Sequence, residues 1–204
     1  MRHLFVVEDQ DWLDIEVNCN EKLAYRSVQL SVFTENDYVE ENKELLVDWL
    51  THYNQFPLTA FVSVYQGMDE EIEAQLNEWQ TEFSKVVKAS EKKPVYIIQL
   101  TEKIQLIEMV SAFFWLPAQN EMMIITNRTA VIELLERRES EKSRYTYLGA
   151  AANLVDDCTI IDVSHDGQGF SVVTTDQALL SAKGIRESIP SHYVIEQRND
   201  DVLL

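Results

Sequence analysis

The chain has 204 residues, enough for one large domain to bury a core without disulfide or metal staples. A hydrophobic content of 46% with 25% charged residues excludes a disordered chain. The net charge of −18 argues against direct binding to nucleic acid or an anionic membrane, since both need Lys and Arg to neutralise phosphate or head-group charge.

The first residues, MRHLFVVEDQDW, hold an apolar run of four before the acids begin, unlike a signal peptide. No run approaches the ~20 apolar residues of a membrane span. The longest, MVSAFFWLP, has the length of a buried strand. The expected location is the cytoplasm.

Residues 12–19 alternate: Leu13, Ile15, Val17 and Cys19 share one face, and Asp14, Glu16 and Asn18 the other, as in a half-buried strand. Residues 23–33 repeat the pattern through Val28, Leu30 and Val32, and the short polar connection between the two predicts a hairpin. Thr34 opens a Thr-x-x-Asp capping pattern, and the stripe Tyr38, Leu45, Leu46, Trp49, Leu50, Tyr53 predicts a helix over about 36–53, stopped before Pro57. LTAFVSVY at 58–65 reads as a strand. The stripe Ile72, Leu76, Trp79, Phe83, Val86 predicts a second helix over 69–89, with acids in its first turn and Lys85 and Lys88 near its end, as the helix dipole favours.

PVYIIQL at 94–100 is an apolar strand, while 104–109 fits a helix or a strand. AFFWL and EMMIIT flank Pro117–Asn120, which reads as a hairpin turn, and a helix is expected over 129–138. RRESEKSR is a charged loop that divides a main body, 1–138, from a smaller continuation of the same domain, 139–204. In the continuation, CTIIDV and FSVVTT bracket SHDGQG as strand–turn–strand, DQALLSA reads as a short helix ended by Gly184, and HYVIEQR as a last strand. The expected fold is a single α+β domain: a mainly antiparallel sheet packed against two amphipathic helices, with a β-turn-β/helix continuation.

Motifs for chemistry are sparse. There is no phosphate-binding glycine loop and no nucleophile elbow, and His3, His52, His165 and His192 lack metal-ligand spacing. Cys19 and Cys158 are too few and too far apart for a disulfide framework and read as reduced thiols. No cofactor or metal is expected. His165 beside Asp166 supplies a hydrolase-type alternative, with the imidazole as general base and the carboxylate as its orienter. The plainer reading is an Asp-Gly turn preceded by an exposed histidine, because chain neighbours seldom orient each other in triad fashion.

The charge is unevenly placed. Residues 8–82 hold eighteen acids against three basic residues, a balance of −15 out of the total −18. Glu40, Glu41, Glu44 and Asp48 form a stripe on the first predicted helix, where like charges at helical spacing repel, and Glu78 and Glu82 lie on the second. Trp12, among acids, reads as an exposed anchor beside them. The functional expectation is an acidic protein-binding or inhibitor module whose face masks a basic protein partner, as an immunity protein masks a nuclease toxin or a DNA mimic blocks a DNA-binding cleft. A non-catalytic accessory or regulatory domain is the third reading.

Overall fold

The computed structural model describes residues 2–8, 13, 15–32, 37–87, 93–138 and 146–196. In chain order, β1 (Arg2–Val7), β2 (Glu16–Asn18) and β3 (Arg26–Val32) precede α1 (Tyr38–Tyr53). There follow β4 (Leu58–Ser63), α2 (Asp69–Glu78), β5 (Phe83–Val86), β6 (Val95–Leu100), α3 (Lys103–Phe113) and β7 (Met123–Thr126). Then come β8 (Ile132–Arg138), β9 (Thr146–Asn153), β10 (Thr159–Val163), β11 (Phe170–Thr174), α4 (Ala182–Ser188) and β12 (Tyr193–Glu196).

The fold is α+β, with three layers. Its middle layer is a nine-stranded sheet in the order β12-β1-β3-β11-β10-β7-β4-β6-β5. Among the described residues its neighbouring pairs are antiparallel except β1 with β12. A three-stranded sheet, β2-β9-β8, forms an outer layer, and the helices form the other. Strand alternation divides the middle sheet between two cores. Leu58, Ala60 and Val62 of β4 join Leu46, Trp49, Leu106 and Phe113 on the helix side. Phe61 of the same strand joins Ile124, Ile160, Leu148 and Ala150 between the sheets. Central strands covered on both faces therefore read as nearly continuous apolar runs, as in PVYIIQL.

α1 begins at the N-cap Asp37, whose carboxylate accepts from the Glu40 backbone N–H at 3.1 Å, and ends at Asn54 in the left-handed conformation (φ 54°). Buried Asn42 ties it to β3: Oδ1 accepts from Val32 N at 2.7 Å and Nδ2 donates to Val32 O at 3.1 Å. Thr34, the expected start of the cap, lies outside the described residues.

Several expectations are corrected. β2 and β3 form no hairpin: β2 pairs in parallel with β9, while β3 lies between β1 and β11. Their apolar faces serve different cores, Ile15 and Val17 between the sheets and Val28, Leu30 and Val32 under the helices. The helix expected over 69–89 ends at Glu78. Gln80 takes φ 53°, its N–H donates to Asn77 O at 3.1 Å and Thr81 N–H donates to Leu76 O at 3.0 Å, the two bonds of a Schellman motif. Phe83 to Val86 then add β5 to the edge of β6. MVSAFFWLP is no strand; its first five residues complete α3, which buries Leu106, Met109, Val110 and Phe113 at helical spacing. Pro117–Gln119 is a 3-10 turn after that helix, so there is no hairpin there.

The helix expected over 129–138 is a 3-10 turn, Thr129–Val131, followed by β8, which pairs antiparallel with β9. The short helix expected over 176–182 lies later, as α4, and Gly184 sits inside it. A side chain there would meet Ala178 O at 1.7 Å, so only glycine fits. The strand–turn–strand reading around SHDGQG holds as β10 and β11, which occupy the centre of the sheet between β3 and β7. Among the described residues no helix is long and apolar enough to cross a membrane.

Candidate functional site

The acidic stripe of α1 is largely answered within the chain. Glu40 pairs with Lys43 at 2.6 Å, and Glu44 meets the Arg2 guanidinium from β1. Asp48 Oδ2 accepts from Tyr193 Oη at 3.0 Å and lies 3.0 Å from His192 Nε2. Burial, then the Asp48 charge, holds the Tyr193 phenol above its ordinary range. Glu41 is half-buried, with one carboxylate oxygen enclosed and without a partner. Lys43 is close in sequence, whereas Arg2 and His192 are distant and only the fold brings them there.

On α2 the acids divide by side. Asp69 and Glu73 turn to the sheet edge, where each accepts from Tyr96 Oη at 3.0 Å and pairs with Lys85 at 2.5 and 3.0 Å. Lys85, then Tyr96, holds the Glu73 carboxyl below its usual range, and Lys85 does the same for Asp69. Glu70, Glu71, Glu78 and Glu82 are exposed, and no cation pairs with them among the described residues. α3 packs against α1, and its Phe113 meets Trp79 at the end of α2 with ring centroids 5.6 Å apart. α3 therefore touches both α1 and the end of α2. Trp12 lies outside the described residues.

A cavity of about 340 Å³ opens between the two sheets where β10 ends. Ile15, Val95, Met122, Leu148 and Ala150 supply apolar wall, and Ser63, Lys93, Glu121, Asp162 and His165 supply polar groups. Glu121 is 6% exposed and fully engaged: Oε2 accepts from Ser63 Oγ at 2.8 Å and Oε1 meets Lys93 Nζ at 2.5 Å. The Lys93 ammonium also stands 5.0 Å from the centre of the Tyr65 ring, which stacks on Trp115 at 6.2 Å. Asp162 is 3% exposed. His165 is exposed at the mouth, whereas Asp166, in a left-handed turn (φ 62°), does not line the cavity.

The spacing of chain neighbours drew attention to His165 and Asp166, yet the cavity joins His165 with Asp162, Glu121, Lys93 and Ser63. Two signals for these were present in the sequence. Asp162 is a lone acid in the apolar strand TIIDV, and a charged residue buried in a strand is seldom there without a partner or a task. Glu121 directly precedes the apolar run MMIIT.

A third polar cluster closes the opposite end of the sheet. Asp176 accepts from Tyr53 Oη, from Gln55 Nε2 at 2.8 Å and from Ala178 N at 2.9 Å. Burial opposes its ionisation, yet these three donors outweigh it and the carboxyl stays below its usual range. Asn127 extends the cluster by donating to Gln55 Oε1 at 3.0 Å and accepting from Thr159 N at 2.8 Å. This network fastens α1, the loop before β4, β10 and β11 together. It reads as structural.

Among the described residues no group of three or more His, Cys, Asp or Glu is placed to hold a metal ion. Cys158 is fully buried, which pushes its thiol up, and Cys19 is half-buried. Comparison with models of protein families, with curated proteins and with solved structures gives no match in any of the three.

Proposed function

We propose that this protein is an acidic binding module that masks the basic site of a protein partner, in the manner of an immunity protein for a nuclease toxin or of a DNA mimic, and that it acts in the cytoplasm. One observation carries the reading. Among the described residues, negative charge is left over on the outer side of α2 and its exit, where Glu70, Glu71, Glu78 and Glu82 face solvent and no cation pairs with them. Such a surface favours encounter with a cationic cleft and repels nucleic acid itself. The stripe of Glu40, Glu41, Glu44 and Asp48 contributes to the same field but spends much of its charge inside the fold.

The test captures partners from the source cell on the immobilised chain and follows association with the purified captured protein at two salt concentrations. A double reversal, Glu78→Lys with Glu82→Lys, is expected to slow association at low salt and to flatten its salt dependence. Equal capture and equal rates with the reversed variant would overturn the reading. The hydrolase-type alternative centred on His165 and Asp166 draws on a single feature, the place of His165 at the cavity mouth, because Asp166 takes no part in the cavity lining.

A further inference from the structure

We propose that the outward face of α3 docks the protein partner, with Trp115 and Ile104 as apolar anchors and an arginine of the partner laid against the Trp115 ring. The proposal rests on the masking reading and deepens it: the acids of α2 draw the partner in, and α3 holds it.

α3 turns Leu106, Met109, Val110 and Phe113 into the core. The opposite stripe, Ile104, Glu108, Ser111 and Trp115, keeps helical spacing along the other side. Ile104 is 54% exposed and Trp115 41%, and neither belongs to the core clusters. α2 turns Glu70, Glu71 and Glu78 to solvent, whereas α3 with its N-cap carries only Glu102, Lys103 and Glu108 as charged residues. In a chain of net charge −18, large apolar side chains aligned in solvent on a weakly charged helix mark a contact surface, since burial in the core does not account for them.

Trp115 is held ready for such a contact. Its ring stacks on Tyr65 with centroids 6.2 Å apart and planes 21° apart. Tyr65 is fixed in turn: its Oη donates to Gln119 O at 2.9 Å, and the Lys93 ammonium stands 5.0 Å from the centre of its ring. A side chain ordered in the free protein loses little freedom on binding, and tryptophan is among the residues enriched at interface hot spots.

Charge complementarity chooses the occupant. A second copy of this chain brings another −18 and is repelled. Glu108 lies on the stripe itself, and among the described residues no cation pairs with it. Phe113 joins α3 to Trp79, the neighbour of Glu78. A cationic protein surface with an apolar side chain beside its charge fits this face. Arginine suits the exposed indole better than lysine, because the planar guanidinium stacks on an aromatic ring.

The probe is a fluorescein-labelled, blocked peptide alternating arginine with leucine, followed with the full chain by anisotropy and stopped flow. Its controls carry serine in place of leucine, or glutamate in place of arginine. Saturable binding of the arginine–leucine peptide is expected, with the serine control about ten-fold weaker and the glutamate control silent. Trp115→Ala is expected to speed dissociation about ten-fold or more while the association rate stays within about two-fold. Should that variant fail to fold, Ile104→Ser, a change at an exposed position, is expected to speed dissociation about three-fold or more. Glu78→Lys with Glu82→Lys acts on the other rate, slowing association at low salt. The docking face is overturned, and the masking reading stands, if the leucine and serine peptides bind alike and Trp115→Ala or Ile104→Ser dissociates like the parent chain while the charge reversal still slows association. No saturable binding of either arginine peptide at millimolar concentration overturns both.

Discussion

Trp49 Nε1 donates to Ser188 Oγ at 3.0 Å across 139 positions of sequence. The hydroxyl passes its own proton to Ile185 O at 2.7 Å, so one serine joins α1 to α4 and completes the hydrogen bonding of a fully buried indole. The ring is also stacked on Tyr53 at 5.2 Å and tilted against Phe170 at 5.7 Å. Ser188→Ala leaves the indole N–H enclosed and unpaired, and is expected to cost about 1–3 kcal/mol in urea unfolding. A loss under about 0.5 kcal/mol, the range of ordinary surface changes, would show that water replaces the hydroxyl without penalty.

Gln80 holds a position that suits glycine. At φ 53° it closes the Schellman motif at the end of α2, and a side chain in that region is unfavourable. Gln80→Gly is expected to raise stability by about 0.5–1 kcal/mol, read as a higher urea midpoint at unchanged slope. A lower midpoint would mean that the Gln80 side chain contributes more than its backbone costs.

The same residue explains the largest misreading of the sequence. The stripe from Ile72 to Val86 keeps helical spacing through a position where no Gly or Asn marks a stop, so periodicity alone carries the helix on to residue 89. What ends it is tertiary: β6 offers an open edge, and Phe83 and Val86 pair there opposite Ile98 and Val95. β4, β6 and the β10–β11 hairpin were legible because their signals are local. The assignment of β2 to the outer sheet was not, since its partner β9 lies more than a hundred residues away. The candidate cavity was half legible. His165 stood out in a turn, but the neighbours that give it a setting, Ser63, Lys93, Glu121 and Asp162, come from four separate parts of the chain.

Asp176 sets an acid limit on stability. Its folded-state carboxyl lies below the unfolded value of about 3.9, so the stabilisation is complete above that pH and is lost as pH falls through the folded value. Asp69 and Glu73 act in the same direction through Lys85 and Tyr96. Asp176→Asn is expected to cost about 1–3 kcal/mol at neutral pH and to flatten the decline in unfolding free energy below about pH 4. An acid limb as steep as in the parent chain would assign the decline to other carboxylates. Tyr53 works at the alkaline end: burial first, then Asp176, raises its phenol, so its contribution is complete below the unfolded value of about 10 and is lost as pH rises through the folded one.

Charge reversal separates the two acidic helices by a measurement that needs no partner. Glu44 and Asp48 are exposed enough to look interchangeable with Glu78 and Glu82 in sequence, but each answers a group from another element: Arg2 from β1, His192 from the loop before β12, and Tyr193 at its start. Tyr193 is 6% exposed and gives its hydroxyl proton to Asp48. Glu44→Lys with Asp48→Lys puts like charges together and strands that hydroxyl, with an expected loss of about 1–2 kcal/mol. Among the described residues Glu78→Lys with Glu82→Lys breaks no ion pair, and it is expected to stay within about 0.5 kcal/mol. The difference decides how binding data are interpreted. Slower association with the α1 variant mixes lost charge with a loosened seam between α1 and the β1–β12 edge, whereas slower association with the α2 variant reports the charge alone. If both double variants unfold at the same urea concentration, the α1 pairs carry no net stability and both helices become clean reporters of electrostatic steering.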